Sequence, residues 1–157
     1  PMPTVGSILA TATPIRIAAI EVEANLETGV RFPCPATGNY QLVLEGGAYS
    51  PWPNRASGQW RTMVYAYINH EIVWNQNQYG FVAPAPIGTP SRDIAAVGRM
   101  EIQTDDTMTS AETRGRGDYD MFYCQAGQTI LFVTMDERRA YGDNFGSVTL
   151  GLYALNT

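Results

Sequence analysis

Apolar residues recur along this chain at every second position in short runs, and almost nowhere at the three- and four-residue spacing of an amphipathic helix. Residues 15–23 (IRIAAIEVE) alternate loosely, and 40–45 (YQLVLE) place Leu42 and Leu44 on one face. The segment 61–69 (RTMVYAYIN) is a strong strand pattern, with 71–74 as its expected hairpin partner. Shorter strand pieces are expected at 29–32, 81–82 and 97–103. The last two lie at 129–135 and at 147–153, where Val148, Leu150 and Leu152 alternate. Between these runs stand clusters of Gly, Pro, Asn and Asp. PATGN at 35–39 reads as a turn, and GGAYSPWPNRASGQ at 46–59 as a loop with no regular structure. The Pro-rich stretch 82–93 is a loop too short to be a domain linker, and 104–118 is a long polar excursion. Strands separated by turns, with no helix to cross over, predict an all-β chain: an antiparallel β-sandwich of jelly-roll type spanning 15–157. Residues 1–14 have no partner in their own pattern, so they read either as an edge strand or as an arm reaching a neighbouring subunit.

Composition narrows the function classes. A chain of 157 residues, 45% hydrophobic and 16% charged, suits one domain with a real core. Its net charge of −5 argues against a nucleic-acid partner, which needs clustered cations. All ten basic residues are Arg. No apolar run approaches the roughly 20 residues of a membrane span, so membrane insertion is not expected. The opening PMPTVGSILATATPIRIAAI lacks a basic region followed by an unbroken apolar core, so no secretion signal is evident, and Pro1 reads as an N-terminus left by initiator-Met trimming. Cys34 and Cys124 either pair across the sandwich or are two buried thiols. Zinc-type ligation is not expected, because there is no CxxC spacing and only one His.

The chemistry concentrates in DERRAYGDNFGSV at 136–148. Two readings are open. Asp-Asn before Gly is common in hairpin loops through Asx-turn hydrogen bonds. Alternatively, the oxygens converge on calcium, which takes six to eight hard oxygen ligands at about 2.3–2.6 Å. Asp136 ends one strand while Asp143 and Asn144 precede the next, and antiparallel strand ends lie side by side. The intervening RRAYG would turn a carbonyl, that of Ala140, toward the same point. Gly142 and Gly146 permit the backbone angles of a tight loop.

The run Asp136-x-x-x-Ala140-Tyr141-Gly142-Asp143-Asn144-x-Gly146-Ser147, followed by Val148, Leu150 and Leu152, resembles the C-terminal signature of PA-IL-type lectins, the calcium-dependent, galactose-specific bacterial β-sandwich lectins. VLEGGAYSPWP at 43–53 resembles the strand and loop that supply a calcium-binding carbonyl in that family, which implies Pro51 as a further ligand. The resemblance implies a calcium cofactor and a carbohydrate partner. Ala140 stands where the family has Thr and Asp143 where it has Asn. The family's sugar-contacting His and Gln have no counterpart in 82–96, so the resemblance does not carry the sugar's identity. Asp136, Asp143 and Asn144 would contact both metal and sugar, with Trp52 and Tyr49 of the facing loop covering a ring face. For both aromatics the alternative is a cap on the core.

Other candidates read more plainly. His70, beside Glu71, has no nucleophile motif around it and reads as a turn residue. RGD at 116–118 is a tripeptide common by chance, and Asp118 and Asp120 read as parts of a solvated loop. Arg138 and Arg139 would offset acidity in the turn or contact an anionic sugar. Nothing places two carboxylates across a cleft, so no enzyme activity is expected. The resulting expectation is a calcium-dependent, lectin-like binder, acting as a homo-oligomer or on a phage-like particle as a fibre or spike. The alternative is a structural virion or assembly protein without a sugar site.

Overall fold

The structure is a computed structural model and describes residues 13–51, 59–68, 94–98, 105–134, 136 and 141–155. Eight strands and one helix fall within them: β1 (Ile15–Glu23), β2 (Val30–Pro33), β3 (Gly38–Ser50), β4 (Val64–Ile68), β5 (Ile94–Val97), α1 (Met108–Gly115), β6 (Tyr119–Cys124), β7 (Thr129–Thr134) and β8 (Phe145–Ala154). They form two antiparallel four-stranded sheets, ordered β1-β8-β3-β6 and β2-β7-β4-β5. In each sheet the strands at the two ends of the chain pair with one another, β1 with β8 and β2 with β7, as do β3 with β6 and β4 with β5. The expectation of an all-β antiparallel chain therefore holds.

Alternation explains which faces meet. A strand points successive side chains to opposite sides, so one face can be apolar while the other meets water. Ile20 and Val22 of β1, Tyr40, Leu42 and Leu44 of β3, and Val148, Leu150 and Leu152 of β8 all turn to one side and are buried. They share a single core with Val64 and Ala66 of β4 and Ile130 and Phe132 of β7, from the other sheet. β7 is apolar on both faces. Its alternate residues Leu131 and Val133 pack in a second cluster with Tyr67 and Tyr141. Among the described residues no helix is long and apolar enough to cross a membrane.

The two cysteines are paired. Cys34 follows β2 and Cys124 ends β6, so the bond joins the two sheets, with Cα atoms 6.5 Å apart. Of the two readings left open by sequence, the cross-sandwich pair is the one found.

Three stretches differ from the sequence expectation. β3 does not stop at Glu45. It runs on to Ser50 across a register shift between Leu44 and Gly46, and pairs Gly46–Ser50 with Thr149–Phe145 of β8. The bulge falls at Glu45, and the Gly-Gly pair that reads as a loop continues the strand beyond it, opposite Thr149 and Val148. The polar excursion 104–118 contains α1, capped by Thr107, whose side chain accepts from Ser110 N–H at 3.0 Å. Ala111 packs this helix on Ala48 and Trp60, and Glu112 accepts from Gly47 N–H at 2.7 Å. Beyond it, Tyr119–Cys124 is strand β6, which takes in Asp120 from the expected loop. The RGD tripeptide lies in the turn between them, where Gly117 N–H donates to Leu44 and Asp118 carbonyl accepts from Leu44 N–H. The hairpin partner expected at 71–74, the loop 82–93, and His70, Glu71, Arg138 and Arg139 lie outside the described residues.

Candidate functional site

The acidic turn joins β7 to β8 at one end of the sandwich. β7 ends at Thr134, Asp136 follows, and a 3-10 turn over Tyr141–Asp143 leads through Asn144 into β8. Tyr141 holds the two ends together. Its hydroxyl donates to the Thr134 carbonyl at 2.6 Å and accepts from Asp136 N–H at 3.2 Å, while its ring lies in the second apolar cluster. Burial, and next the neighbouring Tyr49, push the Tyr141 hydroxyl well above the usual tyrosine range, so it remains a donor.

Asn144 is 8% exposed and is built in by both backbone and side chain. Its N–H donates to the Tyr141 carbonyl at 3.0 Å, closing the 3-10 turn. Its Nδ2 donates to the Ala24 carbonyl at 2.9 Å, and Ala24 N–H in turn donates to Gly146 at 3.0 Å. That carbonyl partner fixes the amide's orientation, because the flipped side chain would set oxygen against oxygen. The remaining atom, Asn144 Oδ1, is buried and has no hydrogen-bond partner among the described residues. A buried acceptor left unmade costs about 1–3 kcal/mol, so such an atom in an otherwise satisfied turn calls for an explanation.

Next to this turn lies the end of β3. Ser50 pairs with Phe145 and Tyr49 with Gly146, so the ladder stops one residue short of Pro51 on one strand and Asn144 on the other. Gly146 adopts φ +102°, and a Cβ there would stand 2.5 Å from the Ala48 carbonyl, so only glycine lets the two strands approach this closely. The facing loops expected from sequence are thus adjacent strand ends.

Of the residues singled out by sequence, Asp136 and Asn144 are buried on the β7–β8 connection, Asp143 is exposed on its surface, and Pro51 is buried at the end of β3. Tyr49 is fully buried, with its hydroxyl donating to the Met63 carbonyl at 2.6 Å. It is a core residue with no face available to a ligand, the cap alternative. Ala140 and Trp52 lie outside the described residues.

The donor chemistry suits a hard cation: two carboxylates and an amide oxygen that lacks a donor. Among the described residues no three of His, Cys, Asp and Glu gather closely enough to hold a metal. Calcium coordination would therefore draw on amide and backbone carbonyl oxygens beside the carboxylates.

Sequence reasoning missed a cleft of about 310 Å³ beside the turn, lined by Glu21, Glu23, Asn25, Asn144, Phe145 and Ser147. Glu21 and Glu23 are alternate residues of β1 that point away from the core, and they pair with Thr149 and Ser147 of β8. IEVE at 20–23 displays that alternation. Its place beside the acidic turn depends on the pairing of β1 with β8, which no local pattern reveals. No family model, curated protein or solved structure matches this chain.

Proposed function

We propose that this protein is a non-enzymatic binding module of jelly-roll type that takes carbohydrate at the end of the sandwich where β3 stops and β8 begins, with calcium as its cofactor. The jelly-roll reading is supported by the strand orders, which are those of one long hairpin rolled up so that first pairs with last in both sheets. The binding reading is carried by one observation: Asn144 is buried and hydrogen-bonded through its nitrogen, yet its oxygen has no partner. Places where a sequence breaks the rule of satisfied buried polar groups are expected at functional sites.

Asp136, Asp143 and Asn144 would hold the ion through side-chain oxygens, with the carbonyls of Pro51 and Ala140 as further donors. Bound there, calcium with open positions would accept a pair of vicinal hydroxyls. The chain's own part is orientation. Tyr141 fixes the entry and exit of the turn, and the Ala24 carbonyl fixes the Asn144 amide. A carboxylate acceptor such as that of Asp143 would make a stronger hydrogen bond to a sugar hydroxyl than a neutral group does. A single weak site gains from display in several copies, so a homo-oligomer or a larger particle is part of the reading. The inter-sheet disulfide favours an oxidising setting such as a virion or cell surface. Calorimetric titration with calcium, followed by glycan-array binding with and without chelator, tests it. Calcium uptake and a chelator-sensitive glycan signal are expected, and absence of both would overturn the reading.

The second reading, a structural assembly protein, has its own observation. Tyr119, Met121 and Tyr123 project from edge strand β6 and are 60%, 56% and 53% exposed. An aligned apolar stripe of this kind suits an interface. Sedimentation of wild type beside a Tyr119→Ser/Tyr123→Ser variant tests this interface, and calcium titration of wild type distinguishes the two readings, since only the binding module takes up the ion.

A further inference from the structure

From the cleft beside the acidic turn we infer the ligand's charge: it binds a saccharide that carries a free primary amine. This deepens the carbohydrate reading and rests on it, but it does not require the calcium.

Two outward carboxylates on an edge strand need no ligand, since charges there also discourage strand-to-strand aggregation. What makes a site of Glu21 and Glu23 is the residue they share a cleft with. Asn144 is more than nine-tenths buried, lines the same cleft, and leaves its Oδ1 without a hydrogen-bond donor. Among the described residues that line the cleft, the charged groups are the carboxylates of Glu21 and Glu23. An acceptor-rich, anionic cleft favours a guest that brings donors and positive charge. An ammonium group supplies three donors and no acceptor, which matches the two carboxylates and, where no calcium holds it, the amide oxygen. An acidic sugar would meet like charge and be rejected, as in discrimination by repulsion.

The saccharide part follows from the rest of the lining. Phe145 is 43% exposed, and its ring meets the buried Trp60 edge to face, with centroids 6.1 Å apart. A ring braced in this way offers an apolar surface to the face of a pyranose. Ser147 and Asn25 add neutral partners for hydroxyl groups. A flexible basic peptide would use the carboxylates but gain little from a braced ring.

The test is calorimetric titration of the full chain with a glucosamine tetramer, its fully N-acetylated counterpart and a trilysine peptide, in calcium and again in chelator. The free-amine tetramer should bind at least tenfold more tightly than the acetylated one and than trilysine. Glu21→Gln/Glu23→Gln should weaken it at least tenfold, and Phe145→Ala should weaken both tetramers. These three residues are exposed, so the variants should keep the wild-type melting temperature, which is measured alongside. Equal affinity for the two tetramers, an unchanged Kd in the double variant, or tighter binding of trilysine overturns the proposal. If only the calcium reading fails, the amine preference persists in chelator. If only the amine proposal fails, calcium still raises the melting temperature of Glu21→Gln/Glu23→Gln, and no tetramer is preferred.

Discussion

Replacing Asn144 by Leu separates a residue kept for binding from one kept for folding. The wild-type side chain contributes one hydrogen bond, Nδ2 to the Ala24 carbonyl at 2.9 Å, worth about 0.5–1.5 kcal/mol net. It also buries Oδ1 without a partner, which costs about 1–3 kcal/mol. Leucine is close in shape, so no large cavity opens. The Ala24 carbonyl keeps a second donor, the Thr134 hydroxyl at 3.4 Å. The 3-10 turn is closed by backbone atoms, which the substitution leaves in place. Over most of these ranges the desolvation relieved exceeds the bond lost. The metal-free variant should therefore be as stable as wild type or more stable, by up to about 2 kcal/mol. Equilibrium urea unfolding in chelator, followed by tryptophan fluorescence, measures this as a shift of midpoint at constant slope. Destabilisation beyond about 1.5 kcal/mol, more than the Nδ2 bond supplies, would refute the reasoning, because Oδ1 would then have a structural partner.

Further expectations concern the scaffold. The Cys34–Cys124 bond closes a loop of 90 residues, for which chain entropy gives about 4–5 kcal/mol, so Cys34→Ala/Cys124→Ala should lose most of that in urea unfolding. An unchanged midpoint would mean the thiols are not joined. Gly146→Ala and Gly127→Ala both force alanine to positive φ, a strain of about 1–2 kcal/mol. Only the former meets backbone, at 2.5 Å from Ala48 O, and should lose about 1–3 kcal/mol more. Equal losses would contradict the close approach of β3 and β8. On the outer face of the first sheet, Glu45 accepts from Arg16 and from the Tyr153 hydroxyl at 2.6 Å. The Arg16 hydrogen bond, more than any other interaction, holds the Glu45 carboxyl below its usual range. A depressed folded-state value means stability present above the unfolded carboxyl range and lost as pH falls through it. The pair is partly exposed, so the effect is small. Glu45→Gln should flatten the fall in urea midpoint on acidification below about pH 4.5, and an identical fall in both proteins would remove the pair from the acid sensitivity.

Strand identity was legible wherever alternation was strong. Residues 15–23, 40–45, 129–134 and 147–153 are strands in both sequence and structure, because one apolar face per strand leaves a period of two. The reading failed where local chemistry was overruled from a distance. Gly46 and Gly47 look like a loop, but β8 on one side and Glu112 of α1 on the other hold them in a bulged strand. Residues 119–124 (YDMFYC) carry aromatics on the exposed face, so polarity does not mark which side is buried. The helix at 108–115 is one short capped segment, with Ala111 and Gly115 its buried residues. For the site, the turn chemistry of 136–147 singled out the connection between β7 and β8, and the ladder brings the end of β3 beside it. Neither the missing partner of Asn144 nor the share of β1 in the cleft was visible, since both depend on pairing across more than a hundred residues.

The most direct test of a binding end at Asn144 is the melting temperature of wild type in saturating calcium against the same protein in chelator. At a hundredfold excess over Kd, binding to the folded state adds about 2.7 kcal/mol, and for a chain of this size that is a rise of about 5–11 °C. A rise of that order in wild type, absent in Asn144→Leu, is the expected result. Identical melting with calcium and with chelator would contradict it and leave a β-sandwich whose buried amide oxygen has no assigned role.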